Sequence, residues 1–130
     1  VNHDEWRQTL RGIRDSLKVG GYLIFETRKP SFRAWESWNK RESFQSVLVP
    51  LEGEVDGWVE LTKFDFPEIS FKWSYYFHND ESILTSQSTI IFRSATEIRH
   101  DLESLGFVIV DLREAPDRIG KELVFIAVAV

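Results

Sequence analysis

Arg28 closes the run Y-L-I-F-E-T-R at residues 22–28, with Glu26 two positions before it. These are the residues best typed and placed for binding chemistry. They stand at the carboxyl end of an apolar stretch, and in open α/β sheets ligands collect at that edge. An arginine there can clamp a substrate carboxylate through a bidentate pair. The alternative is a surface ion pair between neighbours, worth at most about 1 kcal/mol. Arg93 admits two readings as well, facing the same crevice or capping a strand end. Trp35 and Trp38 can wall an aromatic pocket or seat a short helix on the sheet. Tyr75 and Tyr76 point to opposite faces of one strand, so at most one lines a pocket. Alternation makes Tyr75 core and Tyr76 the candidate. His3, His78 and His100 are scattered and show no metal-ligand spacing, and no residue is assigned to a metal. His78 falls on the polar face of its strand beside a turn, and His100 within a solvated helix. No nucleophile–base–orienter triad is seen.

The elements that must position these residues are legible from period and caps. Trp6, Leu10, Ile13 and Leu17 recur on one helical face, with Asn2 and Glu5 as a capping box and Gly20 or Gly21 as the stop. Tyr22 to Thr27 follows as a strand with little polar alternation, so both its faces are expected to be covered. Pro30 and Ser31 open a short helix carrying Phe32, Trp35 and Trp38. Glu52 to Gly57 reads as a loop. Ile69, Phe71, Trp73, Tyr75 and Phe77 alternate with Ser70, Lys72, Ser74, Tyr76 and His78, the pattern of a half-buried antiparallel strand. Asn79 to Ser82 has turn chemistry, and Ile83 to Phe92 is the returning strand. With Trp58 to Phe66 these predict a meander of about three strands. Ser94 and Glu97 cap a second helix with Ile98, Leu102 and Leu105 on its apolar face, ended by Gly106. Phe107 to Leu112 and the almost wholly apolar Leu123 to Val130 are strands, the latter central. The strand–helix–strand crossover predicts parallel pairing, and the last two strands are expected to be antiparallel.

Composition narrows the class. The 130 residues carry no cysteine and a net charge of −5. The length suits one domain with a real core, and disulfide and thiolate chemistry are excluded, in keeping with a reducing cytoplasm. The acidic balance argues against a nucleic-acid surface. No apolar run reaches the length of a membrane span.

Two segments carry a family resemblance. S-L-K-V-G-G-Y-L-I-F-E-T-R-K-P at 16–30 resembles the region of class I S-adenosylmethionine-dependent methyltransferases where an L-x-x-L helix runs into L-K-P-G-G and the fifth sheet strand. F-R-S-A-T-E-I-R-H-D-L-E-S-L-G-F at 92–107 is similar to the family's lead-in to its fifth helix and sixth strand. Val19 stands where the family usually has proline. The resemblance implies an α/β fold: the C-terminal part of a class I methyltransferase (Rossmann-like) sheet with an antiparallel β-meander insertion. Residues 1–130 would be a single, partial domain, with a substrate-side insertion at about 30–93, as in small-molecule enzymes of the glycine N-methyltransferase-like type. The implied activity is methyl transfer from S-adenosylmethionine to a small molecule. The implied substrate-binding residues are Arg28, Trp35, Trp38, Tyr76 and Arg93. The family's G-x-G-x-G donor loop and the acidic ribose partner are not in this sequence. S-adenosylmethionine binding is therefore expected to fall to residues outside it, and the N-terminal half of the fold is an expected partner. In the family the fifth strand is flanked by the fourth and the seventh; with the fourth not in this sequence, the strand at 22–27 predicts an exposed edge and self-association through it. The alternatives are a non-catalytic methyltransferase-like binding or assembly module, and an unrelated α+β ligand-binding domain.

Overall fold

The computed structural model describes residues 2–130. The chain divides into two compact units. One takes in the chain up to Arg33 and from Phe92 onward, and the other is Ala34–Ile91.

In the first unit, helix α1 (His3–Ser16) opens with the expected capping box. The Glu5 amide donates to Asn2 Oδ1 at 2.8 Å and the Asn2 amide to Glu5 Oε2 at 3.2 Å. Leu17 ends the helix, and Gly20 turns the chain at φ +87°, a conformation a β-carbon disfavours. Strand β1 (Tyr22–Arg28) follows. Helix α3 (Ala95–Ser104) is capped by Ser94, whose side chain accepts from the Glu97 amide at 3.2 Å. Gly106 leaves α3 at φ +93°, and the Arg14 side chain runs so close that an added β-carbon would meet its Nε at 3.0 Å. Strands β6 (Phe107–Glu114) and β7 (Glu122–Ala129) complete the unit.

The sheet order is β1–β7–β6, with β7 antiparallel to both neighbours. The expected pairing of the crossover strands is therefore corrected. β1 and β6 run parallel to each other, but β7 lies between them and takes the hydrogen bonds of both. The most apolar strand occupies the position with two bonded edges, as its composition predicts. Leu10 of α1 and Ile98 and Leu102 of α3 pack on Phe107, Phe125, Ala127 and Ala129, and together they form the buried core.

The expectation that β1 is covered on both faces is also corrected. Its exposure alternates strictly, with Tyr22 at 63% and Ile24 at 61%. The core cluster lies on one face of the sheet only. Val108 and Val110 of β6 are likewise exposed among the described residues. Among the described residues, β1 has a bonded neighbour on one side alone.

Irregular turns occupy residues 30–43, from the last residues of the first unit's opening segment into the second unit. The single short helix expected over Phe32, Trp35 and Trp38 is instead a 3₁₀ turn at Pro30–Phe32 and another at Ala34–Ser37, followed by the one-turn helix α2 (Lys40–Ser43). Arg33, at φ +55°, breaks the first from the second. The meander has four strands, not three, in the order β2 (Gln45–Val49), β3 (Gly53–Asp65), β4 (Glu68–Phe77) and β5 (Ser82–Ile91). The segment read as an acidic loop at 52–57 holds the start of β3. A tight turn closes β2 onto it, with the Glu52 amide donating to the Val49 carbonyl and Leu51 and Gly53 at positive φ. Val55 is buried between the acids Glu54 and Asp56, so the strand alternates under an acidic composition.

On β4 the alternation predicts the wrong burial at two kinds of position. Tyr75, expected in the core, is 39% exposed, while Ser70 and Ser74 of the polar face are buried. Ser74 sits in register between the taller Trp58 and Thr85, and the Ser70 and Thr89 hydroxyls are 2.7 Å apart. A small side chain is shielded by its cross-strand neighbours, and a tall one rises past them.

Candidate functional site

The carboxyl end of β1 gathers charge. Arg28 is in register with Glu122 of β7. Arg118, in the connection before β7, reaches Glu26 Oε2 at 2.9 Å and Glu122 Oε2 at 3.3 Å. Burial, followed by the hydrogen bond to Glu26, pushes the Glu122 carboxyl above its ordinary value, with Arg118 opposing. Two guanidinium groups and two carboxylates thus meet at the strand end where the sequence places Arg28. The ion pairs themselves are partly exposed and contribute little stability. The chemistry they offer is recognition of a carboxylate or an amine.

Arg93 lies elsewhere in the same unit, just ahead of α3. Its guanidinium sits 4.7 Å from the centroid of the Trp6 ring. Burial lowers its pKa from the ordinary value, with Asp101 and Glu97 opposing. Beneath it the buried Asp101 accepts from Trp6 Nε1 at 3.0 Å and from Arg7 at 2.7 Å. This cluster joins α1 to α3.

In the second unit, Trp35 is buried against Phe64 and Phe66, with ring centroids at 5.8 and 5.7 Å. Trp38 packs on Phe71 at 4.7 Å, and its carbonyl accepts from the Leu61 amide. Tyr76 stands on the opposite face of β4 from Phe71 and meets His78 edge-to-face at 4.9 Å. The two tryptophans and Tyr76 are therefore not brought together within this unit. Reading the sequence did not find the shallow apolar pocket of about 200 Å³ on the Phe71 face, lined by Val47, Val55, Gly57, Trp73 and Tyr75 among others. Its walls come from β2, β3 and β4, and β2 had no recognisable period to announce it.

The glycine pair at 20–21 does not make a cradle for S-adenosylmethionine. At the one glycine pair, the Gly20 amide donates to the Ala129 carbonyl and the Gly21 amide to the Lys18 carbonyl, both at 2.8 Å. A β-carbon on Gly21 would meet that Lys18 oxygen at 3.0 Å and the Leu17 side chain just beyond. The pair stops a helix and starts a strand, and has no amide left for a ligand.

No family model matches the chain, and no curated protein matches it in sequence. Solved structures do. Over 98% of its length the chain superposes on an S-adenosylmethionine-dependent methyltransferase from Clostridium acetobutylicum, with a TM-score of 0.71 and 13% identity. CcbJ methyltransferase from Streptomyces caelestis gives a TM-score of 0.73 at 14% identity over 98% of the chain. CalS10, an amino pentose methyltransferase from Micromonospora echinaspora solved with S-adenosylmethionine bound, gives 0.69 at 15% over 100%. The chain spans 52%, 51% and 52% of these proteins respectively. The fold is thus that of one half of an S-adenosylmethionine-dependent methyltransferase.

Proposed function

We propose that this chain is the C-terminal portion of a methyltransferase acting on a small molecule, with S-adenosylmethionine as donor. The observation that carries the reading is the superposition of essentially the whole chain, both units in order, on half of several such enzymes. Two neighbours support a small acceptor, CalS10 being an amino pentose methyltransferase and KedS8 of Streptoalloteichus a sugar N-methyltransferase. In this reading Ala34–Ile91 is the substrate-side insertion, and the companion N-terminal half supplies the donor loop. The exposed face of Tyr22, Ile24, Val108 and Val110 and the open edge of β1 are surfaces for that half, or for a second copy of the chain. Absence of cysteine supports a cytoplasmic setting. Methyl transfer is an in-line displacement accelerated by positioning and exclusion of water, so the lack of a triad is no obstacle.

The division of labour is tested by calorimetric titration of the 130-residue chain with S-adenosylmethionine. No binding in the micromolar range is expected, because the glycine amides are already bonded. Joined to a companion half bearing a donor loop, the chain is expected to support methyl transfer to a small acceptor. Micromolar binding by the chain alone overturns the assignment.

For the acceptor side we propose Arg28 first, with Arg93, Tyr76, Trp35 and Trp38 as further candidates. In the intact enzyme, Arg28→Ala is expected to weaken acceptor binding by about 1.5–3 kcal/mol, the loss of a charge-assisted hydrogen bond, and to leave donor binding unchanged. Steady-state kinetics varying each substrate separates the two. An unchanged acceptor constant makes Arg28 a structural ion-pair residue.

A further inference from the structure

One group of side chains on the meander combines an imidazole with two carboxylates. Glu54 and Asp56 stand two apart on β3 and so share a face. The β3–β4 register sets Asp56 opposite Tyr76 and brings His78 beside Glu54, whose carbonyl accepts from the His78 amide at 3.1 Å. His78 Nε2 lies 2.8 Å from Asp56 Oδ2. One ligand atom from each of Glu54, Asp56 and His78 lies within 4.8 Å of the other two. Donors bound at about 2.0–2.2 Å to a common ion are separated by at most about 4.4 Å. A small rotation of the exposed Glu54 or His78 side chain closes that difference.

Neighbouring residues orient two of the three. Ser46 of β2, in register with Asp56, donates its hydroxyl to Glu54 Oε1 at 2.7 Å. The Tyr76 ring holds the His78 imidazole edge-to-face, at an interplanar angle of 75°. Such outer partners set ligand orientation in metal sites.

We propose that Glu54, Asp56 and His78 form a binding site for a divalent transition-metal cation of the zinc class, tying the end of β4 to β3. Two carboxylates match the charge of the ion. The imidazole selects a borderline-soft metal over magnesium or calcium. The remaining coordination positions face solvent and are filled by water. The competing reading is a plain ion pair between His78 and Asp56, in which Glu54 takes no part.

The probe is Zn²⁺ added to the 130-residue chain in a non-coordinating buffer, followed by calorimetry and by NMR of the imidazole resonances. One saturable site is expected, with the His78 ring perturbed and those of His3 and His100 unmoved. The melting temperature rises with free Zn²⁺, because the ion binds the folded chain. His78→Asn and Asp56→Asn are expected to weaken binding by at least about tenfold, and Ser46→Ala by about tenfold. The double variant His3→Ala, His100→Ala keeps the affinity. Equimolar Mg²⁺ does not compete. Absence of saturable binding up to millimolar Zn²⁺ overturns the site. So does perturbation of His3 or His100 in place of His78. The wild-type NMR titration decides the matter even if a variant fails to fold.

Discussion

Replacing Trp35 by alanine is expected to destabilise the protein by about 3–5 kcal/mol, the usual cost of emptying a buried aromatic site. Trp35 is only 7% exposed and packs on both Phe64 and Phe66 at tilted angles. Truncation removes all of that contact and leaves a cavity between a 3₁₀ turn and the β3–β4 hairpin. The two readings of this residue separate cleanly in the experiment. A packing residue shows its effect in the urea midpoint of the chain alone, with no substrate present. A pocket wall leaves stability nearly unchanged and shows its effect in acceptor binding by the intact enzyme. A loss of less than about 1 kcal/mol on urea unfolding counts against the packing role. Trp35→Phe retains part of the contact and is expected to fall between wild type and alanine.

Asp101→Ala carries the second large effect, about 3 kcal/mol. Asp101 is 3% exposed on α3 and bonds both Arg7 and Trp6 of α1. Removing one member of a buried, hydrogen-bonded ion pair typically costs about 3–5 kcal/mol, because the other charge is left without compensation. The Arg7 side chain is 28% exposed and keeps some water, which places the expectation at the lower end. Trp6 is the one tryptophan of five outside Ala34–Ile91. In a variant whose other tryptophans are replaced by phenylalanine, its emission reports on the first unit alone. The Asp101→Ala, Arg7→Met double variant is expected to recover part of the loss, since the orphaned guanidinium is gone. A single-variant cost under 1 kcal/mol would put the pair in the class of surface salt bridges.

The sequence by itself determined what depends on neighbours a few residues away. The Asn2–Glu5 box, the glycine stops at Gly20 and Gly106, the helix faces of Leu10 and of Ile98 with Leu102, the strand at β4 and the apolar character of β7 all follow from a cap, a period or a composition. Each is a local preference that the folded chain had no reason to override. The two family-like segments have the same origin. They are runs of consecutive residues, legible without knowing what packs on them, and the superposed methyltransferases share the fold those segments imply. The position of Arg28 at the end of β1 was legible because strand ends announce themselves.

Tertiary structure alone decided which surfaces meet. The β6 edge of β7 is a sequence-near antiparallel pairing, as expected, but its β1 edge binds a strand about a hundred residues away (Tyr22 faces Val128), and no local pattern encodes that second pairing. Period cannot tell a covered face from an open one, so Tyr22 and Ile24 read as core and stand exposed. Trp35 and Trp38 share helical spacing but make no common helix: the 3₁₀ turn at Ala34–Ser37 ends between them, and Trp35 packs on Phe64 and Phe66 while Trp38 packs on Phe71. Asp56 and His78 are twenty-two residues apart and became neighbours only when β3 and β4 found their register. A ladder converts distance along the chain into adjacency across it, and that conversion depends on turns and burial throughout the sheet.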